Sequence, residues 1–191
     1  MADNPLAQVI TPLPGEVQNE ESRFARSEES KEAPSLGSKS HSSLFTLHSS
    51  LSQGGSASSP SSAIAVDAAC SGNPGPMEYR GVHLPSGQEI FHFGPVYGTN
   101  NIGEFLAIVH AMALLKQKGL SMPVYSDSRT AIIWVQKRKA KTTLAPTPEN
   151  QPLLQLVARA ENWLRQNGVP FPLIKWDTEH WGEVPADFGR K

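Results

Sequence analysis

Residues 27–62 constrain what this chain can fold into more than any other stretch, because 15 of those 36 positions are serine. Among them stand only isolated large apolar residues, Leu36, Leu44, Phe45, Leu47 and Leu51, with Gly54 and Gly55 beside them. Such a segment buries too little apolar surface to offset the entropy lost on ordering it. The expectation is a disordered Ser-rich leader over residues 1–62 and one folded domain over residues 63–191, long enough for a single core. Charge divides at the same place. The leader holds seven acids and four bases and the remainder eleven acids and thirteen bases, so a net charge of −1 hides a weakly basic domain behind an acidic leader.

Serine-rich starts occur on organelle transit peptides, but those are poor in acids, and this one carries Asp3, Glu16, Glu20 and Glu21. No apolar run approaches the ~20 residues that cross a bilayer, and no short apolar core followed by small residues marks a secretory signal. A soluble, cytoplasmic, monomeric protein without a membrane partner is expected. The single cysteine, Cys70, excludes an intrachain disulfide and a cysteine-built zinc site.

Ala63 to Ala69 reads as a short buried strand, closed by a run of turn residues from Ser71 to Pro76. Extended stretches follow at Tyr79 to Leu84 and Gln88 to Tyr97, separated by the hairpin-like break Pro85-Ser86-Gly87. The period then changes. Ile102, Phe105, Leu106, Val109, Met112 and Ala113 fall at helical spacing, with Gly119 just past the end, and predict a helix over 101–118. Met122 to Ser126 predicts a strand entering a helix over 128–137, and Leu153, Leu156, Val157, Ala160 and Leu164 repeat the helical stripe. A last strand is expected over 171–176 and a short terminal helix over 186–191. An antiparallel meander joined through helices to parallel strands makes an α/β fold with a mixed five-stranded sheet and helices on its faces.

Asp67 carries the most chemistry, since an acid inside an apolar strand is expensive to bury unpaired. Backbone amides of the following turn would satisfy it equally well. Glu104 in the first turn of its helix is open to a dipole reading, Asp127 between strand and helix to an N-cap reading, and Asp187 to that of a surface acid. Asp67 lies in the first strand, Asp127 at the end of the fourth, and the other two on helices that could pack over the same edge, where four converging acids would repel one another without cations. Hard oxygen ligands select Mg²⁺ or Mn²⁺ over zinc, and two such ions about 4 Å apart would clamp a scissile phosphate.

Asp67 to Pro76 (DAACSGNPGP), Thr99 to Glu104 (TNNIGE), Tyr125 to Ser128 (YSDS) and the late Asp187 resemble, in order and spacing, the four motifs of ribonuclease H type I. The resemblance runs from about residue 63 to the end. It implies the ribonuclease H fold and endonucleolytic hydrolysis of the RNA strand of RNA/DNA hybrids by two Mg²⁺ ions, leaving 5′-phosphate and 3′-hydroxyl ends. It also implies metal-ligand and catalytic roles for Asp67, Glu104, Asp127 and Asp187. Cys70, Asn73, Thr99, Asn100, Asn101 and Arg129 fall where the family contacts its hybrid. Such groups reach 2′-hydroxyls across a wide minor groove, although Asn100 and Asn101 also read as helix caps.

The family places a histidine ten residues before its last acid. Asp177 stands there in this chain and His180 three residues later, so either could aid proton transfer or product release. Lys137, Arg138, Lys139 and Lys141 form the one dense basic run, read as phosphate contacts with Lys139 and Lys141 foremost, or else as a solvated helix end. Trp163 is expected in the core and Trp181 beside the site; His83, His92 and His110 read as structural. Two other readings remain at this level. One is a hybrid-binding module without catalysis, which would gain nothing from concentrating acids at its groove. The other is a related nuclease of the same fold acting on DNA.

Overall fold

The first strand of the domain, β1 (Ala63–Cys70), is buried on both faces along its first six residues, as a near-continuous apolar run requires at the centre of a sheet. It pairs antiparallel with β2 (Gly75–Leu84) on one side and parallel with β4 (Val124–Ser126) on the other. β3 (Gln88–Gly98) extends the antiparallel side, and β5 (Leu173–Lys175) the parallel side. The order β3-β2-β1-β4-β5 is the mixed five-stranded sheet expected from the sequence. This computed structural model describes residues 5–10 and 61–189, which belong to one compact unit.

On one face of the sheet the central helix is α2 (Asn100–Lys118), capped by the Thr99 hydroxyl at its start and by left-handed Gly119 at its end. Thirteen of its residues are buried, because α3 (Arg129–Lys137) and α4 (Gln151–Asn167) pack beside it while its inner face meets β1. Ile64, Val66 and Ala68 of β1 point into this principal core with Trp134 and Trp163. Alternation sends Ala63 and Ala65 to the opposite face, into a smaller cluster with Leu84, Tyr125, Trp176 and Val184. Asp67 follows Ala65 on that second face, just past the last residue of β1 that pairs with β4.

Three expectations change. The terminal helix does not form over 186–189: Pro185 cannot donate, Ala186 and Asp187 form no regular element, and Gly189 is left-handed. A one-turn helix instead occupies Thr178–Trp181 (α5), capped by the Asp177 carboxylate. The turn after β1 is shorter than expected, with β2 starting at Gly75 and its pairing with β1 resuming at Met77 rather than near Tyr79.

The third change falls in the leader. Pro5–Val9 forms a helical turn (α1) that lies on α2 and β3, with Leu6 and Ile10 buried in the principal core. Arg159 of α4 donates to the carbonyls of Ala7 (3.2 Å) and Ile10 (3.1 Å), which satisfies acceptors that the end of so short a helix leaves open. An unstructured leader therefore does not describe residues 5–10. The serine-rich stretch that motivated it, up to residue 60, lies outside the described residues.

Candidate active site

β1 supplies Asp67 two residues before its burial begins to lapse, and parallel pairing with β4 sets Asp127 at the same end of the neighbouring strand. α2 supplies Glu104 by an unusually close approach. A Cβ at Gly103 would lie 2.8 Å from the Ala68 Cβ and 2.7 Å from the Met77 sulfur, so only glycine lets the helix descend onto β1 here. That approach lets Glu104 Oε1 accept from the Ala68 backbone N–H (3.2 Å), while Oε2 takes the Ser126 hydroxyl at 3.5 Å. Ser126 in turn accepts from the Ser128 N–H, and Ser128 caps α3 through the Ala131 N–H. The capping role that could have explained Asp127 is thus filled by Ser128. Glu104 is buried, which leaves little to the dipole reading.

Carboxylate oxygens of Asp67, Glu104 and Asp127 lie within 4.8 Å of one another. Asp187 joins them on the wall of one open cavity of about 320 Å³, which Cys70, Asn100, Ser128 and Phe188 also line. Asp67 and Glu104 share a hydrogen bond. Burial pushes the Asp67 carboxyl up to about 6, against the hydrogen bond from Glu104, and the charges of Asp127 and Asp187 add to the rise. Burial, the Asp67 charge and the hydrogen bond with Asp67 hold Glu104 well above the carboxylate range. Asp127 is raised by burial, with Lys175 opposing and the charges of Glu183 and Asp187 adding to it. A set of hard oxygen donors that protonates for lack of positive charge fits divalent cations of the Mg²⁺ type.

The predicted substrate contacts divide between two places. Cys70 and Asn100 line the acid cavity, whereas Asn73, Thr99, Asn101 and Lys141 line a second cavity of about 330 Å³ with Trp134, Thr142, Thr143 and Asn150. Asn73 joins the two sites, its side-chain oxygen accepting from the Asn100 N–H. Thr99, not Asn100 or Asn101, caps α2, which leaves both asparagine side chains for other partners. Arg129 is exposed and lines neither cavity. Lys139 is drawn to buried Glu161 at 2.8 Å. His180 and Asp177 hold each other at 2.7 Å and do not line the acid cavity. Trp181 packs edge-on against Tyr125 and Trp176 and does not line the acid cavity. Glu183, whose charge bears on Asp127, was missed in the sequence; its only signal was lying in the same loop as Asp187.

A family model described as RNase H matches residues 60–184. The ribonuclease H of Polynucleobacter asymbioticus is 39% identical over 139 residues, covering 68% of this chain and 87% of that protein. That of Neorickettsia sennetsu is 27% identical over 144 residues, covering 67% and 89%. Among solved structures, LC11-RNase H1, isolated from compost by a metagenomic approach, aligns at 20% identity with a TM-score of 0.44, over 62% of this chain and 86% of that one. With most of its folded sequence inside the matched span, the chain belongs to the ribonuclease H family.

Proposed function

We propose that this enzyme hydrolyses the RNA strand of RNA/DNA hybrids with the help of two Mg²⁺ ions, leaving 5′-phosphate and 3′-hydroxyl ends. The observation that carries the reading is the acid cavity itself, where buried carboxylates are pushed toward protonation by burial and by one another. Asp67, Glu104, Asp127 and Asp187 would hold the cations. Bound there, such ions supply Lewis-acid activation of a water and charge stabilisation for the leaving oxygen.

The chain's own groups do the rest. Ser126 and the Ala68 N–H fix the Glu104 carboxyl so that it turns toward Asp67. Asn100 and Cys70 line the acid cavity and in this reading meet the sugar edge of an RNA strand, where the 2′-hydroxyl separates RNA from DNA. The second cavity, with its threonine hydroxyls and Lys141, suits a backbone phosphate of the opposite strand. His180 and Asp177 are not needed in this scheme. The test is cleavage of an end-labelled hybrid by the parent and by Asp67→Asn and Asp127→Asn. Each variant is expected to lose at least ~10³-fold in rate with its circular dichroism unchanged, a deficit of about 4 kcal/mol in the barrier. Parent-like turnover in either variant, or product ends of the opposite polarity, would contradict the reading.

A further inference from the structure

Asp67 and Glu104 are carried by β1 and α2 and Asp127 directly follows β4, whereas Asp187 stands in the loop after α5, with no regular element beside it. Its amide donates to the Val184 carbonyl and its own Oδ2 accepts from the Gly189 N–H, contacts that shape the loop locally without tying it to the sheet. Val184 packs in the smaller cluster against β1 and the Phe188 ring lies 6.1 Å from that of His92 on β3, while the hydrogen bonds that reach the acid's own backbone from the sheet come from Arg80. Arg80 stands on β2 directly across from Asp67, so both side chains leave the same face of the sheet. Its Nε donates to the Ala186 carbonyl at 2.7 Å and one terminal nitrogen donates to the Asp187 carbonyl at 2.6 Å. The guanidinium lies 4.7 Å from the Phe188 ring centroid, and its other terminal nitrogen meets Glu89 at 3.3 Å. Three successive residues of the loop are thereby held by one planar group, the middle one being the acid.

We propose that Arg80 is a positioning residue, which fixes the Asp187 carboxylate at the acid cavity and through it sets the affinity for divalent cations. The proposal rests on the metal-dependent reading above. Only arginine offers a planar fork that serves two adjacent carbonyls and stacks on an aromatic ring at once; lysine would keep the charge and lose the fork. Electrostatics and positioning make opposite demands here. By Coulomb's law alone, deleting a cation beside four acids strengthens the binding of metal cations. If Arg80 acts by holding Asp187, deleting it weakens that binding.

The test is calorimetric titration of Mg²⁺ into the full chain, for the parent, Arg80→Ala, Arg80→Lys, Asp187→Asn and the double variant Arg80→Ala with Asp187→Asn, with hybrid cleavage measured across Mg²⁺ concentration alongside. Arg80→Ala and Arg80→Lys should each bind Mg²⁺ roughly five- to tenfold more weakly and need correspondingly more Mg²⁺ for half-maximal rate, a coupling of the size expected between residues in contact. In the Asp187→Asn background the Arg80→Ala change should shrink to less than about twofold. Binding that tightens or stays the same on losing Arg80, or an equal loss with and without Asp187, overturns the proposal. A parent that binds no Mg²⁺ overturns instead the metal-dependent reading beneath it. Should Arg80→Ala fail to fold, Arg80→Lys carries the same comparison.

Discussion

Asp67 shows how a single side chain reports on both stability and chemistry. Its carboxyl is raised from an ordinary value of 3.8 to about 6, first by burial and then by the charges of Asp127 and Asp187. A carboxyl whose folded-state pKa is raised contributes stability below its unfolded value and loses it as pH climbs through the folded one. Above pH 6 without cations, the charged cluster therefore opposes folding. Asp67→Asn should melt higher than the parent at pH 7.5 in chelator, by about 3–10 °C for on the order of 1–3 kcal/mol relieved. The advantage should vanish near pH 4, and saturating Mg²⁺ should raise the parent while leaving the variant nearly unmoved. A variant that melts lower than the parent at pH 7.5 in chelator would contradict this account of the cluster. Much of the cluster was legible in the sequence because an acid inside AIAVDAA has few cheap explanations. What could not be read was which bland role each acid escaped. Ser128 relieves Asp127 of capping, and Gly103 draws Glu104 down onto Ala68; both depend on packing between elements distant in the chain.

Elements with a strong period were readable, and those without one were not. The apolar stripe of α2 marked its length almost to the residue because the helix is the hub of the core, whereas the last segment has Pro185 and Gly189 in place of a stripe, and the expected helix gives way to a loop. The basic run needed tertiary information of another kind. Its four cations look alike in sequence, yet Glu161 of α4 takes Lys139 and the Ala140 N–H, pinning the turn after α3, while Lys141 goes to the wall of the second cavity. The two should part on substitution. Lys141→Ala should weaken hybrid binding and reduce the slope of log affinity against log salt by about 1, as the loss of one phosphate contact requires. Lys139→Ala should leave that slope nearly unchanged and cost at most about 1 kcal/mol of stability, its side chain being largely exposed. The reverse order in a filter-binding or anisotropy series across salt would show that Lys139 leaves Glu161 for the phosphate.

At the scale of the whole molecule, the surprise is that residues 5–10 belong to the folded unit. Composition pointed the other way because the serine-rich stretch dominates any average over residues 1–62, and two apolar side chains at helical spacing, Leu6 and Ile10, are too weak a signal alone. Burying them contributes about 3–6 kcal/mol, against which stands the entropy of ordering the six residues of the docked turn, about 1–2 kcal/mol each. The attachment is therefore weak in net terms. A chain starting at Ser61 should melt only about 2–6 °C below the parent, and Leu6→Asp in the full chain should reproduce that loss. Identical melting of all three would show that the turn does not stay docked in solution. At the sheet edge four acids, from β1, α2, the end of β4 and the Arg80-held loop, face a single cavity. The most direct test of its purpose is to incubate the full chain with labelled RNA/DNA, RNA/RNA and DNA/DNA duplexes of one sequence, with Mg²⁺ and with chelator. Cleavage confined to the RNA strand of the hybrid and present only with Mg²⁺ is the expected result; cutting of the DNA duplex, or equal cutting of the hybrid in chelator, would contradict it.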